Sequence, residues 1–252
     1  MNDGLDLLEW LREHCARYEF DVAAVFRRAG RHPWPLVAAD ERELLQQLGE
    51  GGHLLPLPKE PAALANVLEV SIVDFVLRHL AGVPGAEARR GTERGYPDIE
   101  ISGPAFDSDH HAIDVKAARR AASGKSTKSR ITLYTGNSYF RYPRLRFSGT
   151  FRPFQDYASH LDIVAIYTFD PESPARVKDL ELIVHPARRI ASRKRSSTTR
   201  EYIGAVTLID DLRRGNGEFE TTEEFYQFWR GYDFRITKQV QRELDKLLAS
   251  QE

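Results

Sequence analysis

The chain has 252 residues, 41% of them hydrophobic and 29% charged, and its formal net charge is −1. This composition is typical of a folded protein with one core, and no apolar run approaches the ~20 residues needed to span a bilayer. A single cysteine, Cys15, excludes an internal disulfide framework, and the acidic start lacks the basic residues of a signal peptide, so we expect a cytoplasmic protein.

The first eighty residues indicate helices. The apolar spacing over residues 3–19 predicts an amphipathic helix. Its apolar stripe comprises Leu5, Leu8, Leu11, Cys15 and Tyr18. A shorter helix is predicted around 41–48, and a loop punctuated by glycine and proline follows at 49–61. From Ala62 to Leu80 the residues are apolar almost all round, which predicts a helix buried on most of its sides.

The middle of the chain changes to the alternating pattern of half-buried strands. Strands are predicted at 98–101, 112–116, 131–135, 161–169 and 178–185. The dense apolar run of the fourth predicts a central place in a sheet.

Two helices are predicted to close the chain, at 221–232 and 236–249, and a threonine with a nearby glutamate indicates a capping pair at the start of the first. The aromatic residues of that helix are predicted to pack in the core; they are Phe225, Tyr226, Phe228 and Trp229. The order of the predicted elements, with helices at both ends and strands in the middle, predicts a mixed α/β domain with a helical N-terminal portion.

Positive charge is concentrated in two acid-free blocks. The first basic block, between Asp114 and Asp156, carries Lys116, Arg119, Arg120, Lys125, Lys128, Arg130, Arg141, Arg144, Arg146 and Arg152. The second, PARRIASRKRSSTTR, carries Arg188, Arg189, Arg193, Lys194, Arg195 and Arg200. Two such blocks in a nearly neutral chain indicate a localised surface for a polyanion, although chance charge on solvated loops is the simpler alternative for either block alone.

The strongest chemical signal is Pro97-Asp98 followed by Asp114-Val115-Lys116. Residues i and i+2 of a strand share a face, so Asp114 and Lys116 should project together. A hairpin-like pairing would bring Asp98 beside Asp114, and two convergent carboxylates with a backbone carbonyl and waters suit Mg²⁺. We expect Lys116 to deprotonate or orient a bound water and to neutralise charge on a phosphate.

The pattern alone is weak, because a Pro-Asp pair with a later D-x-K also arises by chance. The alternative makes Asp98 a turn residue, with Asp114 and Lys116 a surface pair on a strand. The first basic block favours the catalytic interpretation, since a phosphodiester backbone would lie against it. Glu69 lies within the apolar helix, where an unpaired carboxylate is costly, and it is either a third acid of the metal site or an outward-facing structural residue.

At these residues the chain resembles the EcoRV-type type II restriction endonucleases, which have a PD-(D/E)xK active site. The similarity extends from about Leu55 to Tyr232. Segments that resemble family blocks in the same order are VLEVSI, RGYPDIEI, AIDVK, ITLYTGNSYFR, RPFQDYASHLDIVAIYT, SSTTREYIGAV and EEFYQFWRGY. The resemblance implies that Asp98, Asp114 and Lys116 are catalytic. It also implies that Glu69 is an active-site carboxylate, with the metal held by Asp98, Asp114 and Glu69.

The resemblance implies a restriction-endonuclease-like mixed β-sheet flanked by helices, with a helical N-terminal dimerisation portion. One catalytic domain would cover residues 1–252. Its parts would be a helical N-terminal portion at 1–60, a catalytic core at 61–185, and a recognition loop with C-terminal helices at 186–252.

The resemblance further implies a Mg²⁺-dependent enzyme, with Mn²⁺ as a substitute, that cuts both strands of a short palindromic site in double-stranded DNA. The enzyme would act as a homodimer and leave blunt ends with 5′-phosphates. A cognate DNA methyltransferase is implied functionally, and not as a bound subunit.

DNA reading is implied for two loops, at about 193–200 in the major groove and about 91–95 near the minor groove. The predicted DNA-binding residues are Thr92, Glu93, Arg94, Arg119, Arg120, Lys125, Lys128, Arg193, Lys194, Arg195, Ser196, Ser197, Thr198, Thr199 and Arg200. The first loop departs from the Gly- and Asn-rich loop of a relative, and basic side chains favour guanine O6 and N7. We therefore expect a different target that is richer in G·C.

Two other functions fit part of the pattern. A repair or recombination nuclease of the same fold, such as a nicking enzyme or a junction resolvase, would not cut a perfect palindromic duplex on both strands. A catalytically silent DNA-binding module would bind without metal, and the intact set of Asp98, Asp114 and Lys116 argues against it. His110-His111 is interpreted as an exposed loop pair.

Overall fold

A mixed five-stranded sheet carries the centre of the fold. The computed structural model describes residues 4–20, 39–40, 42–43, 46, 61–92, 95–172, 175–197, 202–234 and 238–249. The described helices are α1 (Leu7–Cys15), α2 (Pro61–Leu80), α3 (Ser138–Arg141), α4 (Ile209–Arg214), α5 (Thr222–Arg230) and α6 (Lys238–Ala249). The described strands are β1 (Glu87–Arg90), β2 (Ile99–Ser102), β3 (His111–Arg119), β4 (Thr132–Tyr134), β5 (Ser159–Phe169), β6 (Val177–Pro186), β7 (Ala191–Arg195) and β8 (Ile203–Ala205).

The large sheet has the strand order β1-β2-β3-β5-β6, with β3 at its centre. Strands β3 and β5 are parallel, and the other neighbours are antiparallel. A smaller antiparallel sheet has the order β4-β8-β7. The mixed sheet with its helices confirms the predicted fold class, and β5 has the internal position that its apolar run predicted.

The two faces of the large sheet pack against different partners. Ile113 and Val115 of β3 point to the face that α1 and α2 cover. Ala112 points to the opposite face, where the smaller sheet and α5 complete a second core. Because side chains alternate along a strand, Asp114 and Lys116 lie on that second face, between the two sheets.

The N-terminal helix is shorter than predicted; of its predicted apolar stripe, Leu11 and Cys15 are buried and Leu8 and Tyr18 pack against the same core, whereas Leu5 does not. The Asp6 side chain accepts hydrogen bonds from the N–H groups of Leu8 and Glu9, so the helix begins after Leu5. Leu5 is 47% exposed. The buried side chains of this helix are Leu7, Trp10, Leu11 and Cys15. The long apolar helix is α2, as predicted, whereas most of the predicted helix at 41–48 lies outside the described residues.

The interpretation of His110-His111 as an exposed loop pair is wrong. His111 is the first residue of β3, and its Nδ1 lies 2.8 Å from Ser159 Oγ on the neighbouring strand. Both histidines are half-buried. Their strand partner lies about fifty residues away, so no local pattern signals it.

The predicted core role of the C-terminal aromatic residues is confirmed. Phe225 and Trp229 are buried, and the other two pack against the same cluster. The predicted cap is present, since Thr221 accepts a hydrogen bond from the N–H of Glu224. No described helix is both long enough and apolar enough to cross a membrane.

Candidate active site

Two carboxylates occupy the edge of β3 where its pairing with β2 stops. That pairing ends at Ile99, and farther along β3 the N–H groups of Val115 and Ala117 donate to acidic side chains. Asp98 Oδ2 accepts a hydrogen bond from Val115 N at 2.7 Å, and Glu69 Oε1 accepts one from Ala117 N at 3.0 Å. The backbone of β3 thereby positions an acid from a loop and an acid from α2 side by side.

A row of acidic side chains crosses the sheet at the same level. The register that pairs Ile99 with Ile113 brings Asp98 level with Asp114, and Asp114 lies beside Asp162 of the parallel strand β5. Paired residues of adjacent strands share a face, so the three carboxyl groups are neighbours. Lys116 Nζ lies 2.6 Å from Asp114 Oδ2.

Burial and mutual repulsion control ionisation in this row. Burial raises the pKa of Asp114 well above its usual value, Lys116 opposes that rise, and Asp98 adds to it. Burial likewise raises the pKa of Asp162 to about 7. Burial lowers the pKa of Lys116, but the attraction of Asp114 and Asp98 outweighs burial and raises it. Lys116 is therefore an ammonium ion at neutral pH.

A cavity of about 440 Å³ lies at this end of the acidic row, and Asp162 is not part of its lining. Its walls include Glu69, Asp98, Asp114 and Lys116, which are the four predicted catalytic residues. Residues 129–135 of the first basic block also line it, together with Tyr96 and Tyr139. Arg130, the basic residue of that segment, donates to Ser192 Oγ and to the Ala205 carbonyl, so its guanidinium is engaged within the protein.

The donor set suits a divalent cation with hard oxygen ligands. Asp98 and Asp114 place carboxyl groups in contact at the cavity wall, and their repulsion is what a bound cation would relieve. Within the described part of the chain, no three His, Cys, Asp or Glu side chains form a group that could hold a metal ion. Glu69 therefore lines the cavity without joining a three-ligand cluster, and its carboxylate is engaged with β3.

Comparison with known proteins decides the family. The sequence profile described as restriction endonuclease EcoRV matches residues 32–250. The chain belongs to the EcoRV restriction endonuclease family. It is thus a DNA endonuclease of the type II restriction class, and the acidic row lies within the matched segment. A search of curated proteins finds no match.

The predicted phosphate contacts of this EcoRV-family chain fall into two groups. Lys125 and Lys128 follow β3 and are exposed. Arg119 lies over the Phe169 ring at 5.9 Å. Arg120, in contrast, forms an ion pair with Glu181, and it also donates to the Asp179 carbonyl at 3.2 Å. Its guanidinium is engaged within the protein.

The predicted major-groove loop begins on β7, and its first residue is anchored. The Arg193 guanidinium pairs with Glu224 of α5 and lies over the rings of Phe219 and Phe228 at 4.7 and 5.0 Å. Lys194 is exposed.

The next residues of this loop connect it to the cavity wall. Arg195, Ser196 and Ser197 are half-buried, and Ser196 Oγ lies 2.7 Å from Thr132 Oγ1. The remaining predicted residues of the loop, Thr198, Thr199 and Arg200, lie outside the described residues. In the predicted minor-groove loop Thr92 is exposed, and Glu93 and Arg94 are likewise outside the description.

Asp162 and the tyrosines are site residues that sequence reasoning missed. Asp162 is an acid within an otherwise apolar strand, and a buried carboxylate without compensation is costly. The same signal drew attention to Glu69 in the apolar helix, so it could have identified Asp162. The tyrosines carry no comparable signal, because the aromatic residues that the structure describes lie mostly in the core.

Proposed function

We propose that the chain is a Mg²⁺-dependent type II restriction endonuclease that hydrolyses both strands of a short palindromic duplex. The observation that carries the proposal is the meeting of Asp98, Asp114 and Lys116 in one cavity beside the basic block. Membership of the EcoRV family supplies the DNA substrate. The finer features of the reaction rest on the chemistry of these residues.

Asp98 and Asp114 are the proposed ligands of Mg²⁺, for which Mn²⁺ can substitute, and backbone carbonyl oxygens or waters complete its coordination. The bound ion would supply charge stabilisation at the scissile phosphate and a water of lowered pKa. Lys116 contributes a permanent positive charge that neutralises the phosphate in the transition state and orients the attacking water. Glu69 is proposed as a further active-site acid and metal ligand, through the carboxylate oxygen that does not accept from Ala117 N.

Base reading is proposed for residues 193–200 in the major groove, with Arg193 as the anchor that holds this loop on α5, and for 91–95 near the minor groove. Basic side chains in the first loop favour guanine, so the proposed target is richer in G·C than that of a relative with a Gly- and Asn-rich loop. Phosphate contacts are proposed for Arg119, Lys125 and Lys128. These contacts position the protein on DNA without reading its sequence.

The proposed assembly is a homodimer, since cutting both strands of a palindrome requires two symmetry-related active sites. Residues 1–60, which the sequence predicts to be helical, are the proposed dimerisation region. Blunt ends with 5′-phosphates are the proposed products. A cytoplasmic location and a separate cognate methyltransferase belong to the same proposal, because a site-specific nuclease must spare the DNA of its own cell.

The decisive experiment is incubation with plasmid DNA of known sequence and Mg²⁺, followed by mapping of every cut end. We expect one short palindromic sequence at all ends, with 5′-phosphates, and no cutting by the Asp114→Asn variant. Single-strand nicks or cuts at branched junctions alone would instead support a repair or recombination nuclease. Metal-independent binding without cutting would support a silent DNA-binding module.

A further inference from the structure

His160 lies behind the cavity wall, and its two hydrogen bonds define its chemical form. Its Nε2 lies 3.2 Å from the Phe154 carbonyl, which can only accept, so Nε2 carries a proton and donates it. Its Nδ1 lies 2.7 Å from Tyr96 Oη. Burial lowers the pKa of His160 to about 3, so the ring is neutral and Nδ1 accepts from the Tyr96 hydroxyl.

Aromatic packing holds this bond in one geometry. The His160 ring stacks on Phe154 with centroids 3.8 Å apart and an interplanar angle of 14°. Tyr96 is buried and packs against the rings of Tyr134, Tyr139 and Phe154. Neither ring can tilt without displacing several others, so the direction of the Tyr96 hydroxyl is fixed.

Tyr96 is connected to Asp98 through a single rigid residue. Pro97 lies between them, and its ring restricts rotation of the backbone. The Tyr96 N–H donates to the Gly149 carbonyl at 3.2 Å. The segment is thus held at its backbone, at its phenol by His160, and at the Asp98 carboxylate by the Val115 N–H.

We infer that His160 is a positioning residue for the active site. As a neutral acceptor in one tautomer, it fixes the Tyr96 ring and thereby the backbone that presents the Asp98 carboxylate to the cavity. His160 lines a separate aromatic cavity, and not the cavity of the acidic row, so it acts through Tyr96. The importance of this positioning rests on the proposed function, in which Asp98 binds a metal ion.

The first test measures the position of Asp98 without metal or DNA. His160→Phe keeps the stacking on Phe154 but removes the acceptor that directs the Tyr96 hydroxyl, which is then free to turn towards the neighbouring Tyr134 hydroxyl. We expect the Val115 amide proton, which Asp98 holds, to exchange with solvent at least about tenfold faster in this variant. The Ala117 amide, which Glu69 holds, is the internal control and should exchange as in the wild type.

The second test measures the consequence for metal binding. Calorimetric titration with Mn²⁺, without DNA, should show an affinity about tenfold weaker in His160→Phe, which is the usual range for residues that orient a ligand. In cleavage assays with Mg²⁺ the kcat should fall while the KM for DNA stays constant.

Double and control variants separate positioning from the effect of a freed hydroxyl. Adding Tyr96→Phe to His160→Phe removes that hydroxyl but does not restore the lost bond, so the Mn²⁺ affinity should stay as weak as in His160→Phe, and recovery would show that the hydroxyl, and not the missing bond, caused the loss. His111→Phe breaks another histidine–hydroxyl bond between strands, on the opposite face of the sheet. It should leave Val115 exchange and Mn²⁺ affinity unchanged.

A folded His160→Phe protein with wild-type Val115 exchange and wild-type Mn²⁺ affinity would overturn the inference. If that variant does not fold, Tyr96→Phe removes the same bond from the other side, and unchanged Val115 exchange there would overturn it equally. Failure of the wild type to bind Mn²⁺ and to cut DNA would contradict the proposed function instead. The Val115 measurement distinguishes the two, because it requires neither metal nor DNA.

Discussion

Asp162 is a buried carboxyl group to which the proposed chemistry gives no role. It is 3% exposed and stands beside Asp114 in the parallel register. Burial is the largest cause of its raised pKa, Lys116 opposes the rise, and Asp98 adds to it. Its folded-state pKa of about 7 exceeds the ordinary value of 3.8. The stability that it contributes is therefore complete below pH 3.8 and is lost as the pH rises through about 7.

We predict that the metal-free protein loses stability as the pH rises from 3.8 to about 7 and that Asp162→Asn reduces this loss, while Asp114, whose pKa burial also raises, keeps its share. The variant should depend less on pH because asparagine has no charge to bury at high pH. The measurement is the free energy of unfolding in urea, with a chelator present, at several pH values. Equal pH slopes for both proteins would show that Asp162 is not the responsible group.

Asp114→Asn should separate stability from catalysis. The amide removes one of the mutually repelling carboxylates, so we expect the metal-free variant to unfold at a temperature no lower than the wild type. Cleavage should fall more than a hundredfold, because losing ~3 kcal/mol of transition-state stabilisation has that effect. Thermal unfolding and single-turnover cleavage measure the two properties, and near-normal cutting would refute the assigned role of Asp114.

At the level of elements, the basic side chains at the end of β3 and in the segment after it have different roles, one in stability and one in DNA binding. Arg120 is engaged with Glu181, while Lys128 is exposed. Lys128→Ala should reduce the salt slope of DNA binding by about 0.9 for each subunit of the proposed dimer. Arg120→Ala should leave that slope unchanged and instead reduce the free energy of unfolding by about 1 kcal/mol.

Binding measured at several salt concentrations, together with urea unfolding, tests this pair of variants. The sequence-based prediction made Arg120 and Lys128 equivalent phosphate contacts. A reduced slope for Arg120→Ala would support that equivalence and contradict the division of tasks.

Strand β7 offers a second matched pair in neighbouring residues. Arg193 is anchored to α5 by Glu224 and two aromatic rings, whereas the Lys194 side chain is exposed. Lys194 is expected to contact a base edge. Lys194→Ala should therefore reduce the discrimination in cleavage between the cognate site and a site with one altered base pair, by roughly 1–3 kcal/mol. Arg193→Ala should lower both rates alike and lower thermal stability.

Cleavage of cognate and singly altered duplexes by the two variants gives the comparison. Glu224→Ala is the control for Arg193, since it breaks the same anchor without touching the loop. A specificity change in Arg193→Ala that Glu224→Ala lacks would show that Arg193 reads bases itself.

Individual residues show how far local pattern could predict this fold and site. Asp114 and Lys116 share a face because a strand alternates, and Asp98 lies beside them because β2 and β3 are antiparallel neighbours in sequence; both relations were predictable. The approach of Asp162 to Asp114 depends on a parallel pairing between strands about fifty residues apart, and no local pattern encodes it. Strand β1 was missed because all four of its side chains are exposed, so it has no apolar alternation.

At the level of the whole molecule, divalent ions should all raise the stability of the protein, but they should differ in whether they support cleavage. Mg²⁺, Mn²⁺ and Ca²⁺ should each raise the temperature of unfolding, because each relieves repulsion between Asp98 and Asp114. Mg²⁺ and Mn²⁺ should also support cleavage, whereas Ca²⁺ should support DNA binding alone, since it is a poorer activator of water. Thermal unfolding and plasmid cleavage with each ion provide the measurements. Full cleavage in a chelator would contradict the metal-dependent reaction.

The hydrogen bond from Val115 N–H to Asp98 has an evolutionary consequence. Asparagine at position 98 would still offer an oxygen to that N–H, so a single substitution can remove the charge without opening the edge of β3. A descendant with asparagine at this position would keep its fold and its binding to DNA and would lose only hydrolysis. Quality control in the cell would not detect the change, because nothing would misfold. Because such a pseudoenzyme no longer cuts DNA, selection for cleavage would no longer constrain it, and it would be free to acquire a regulatory role.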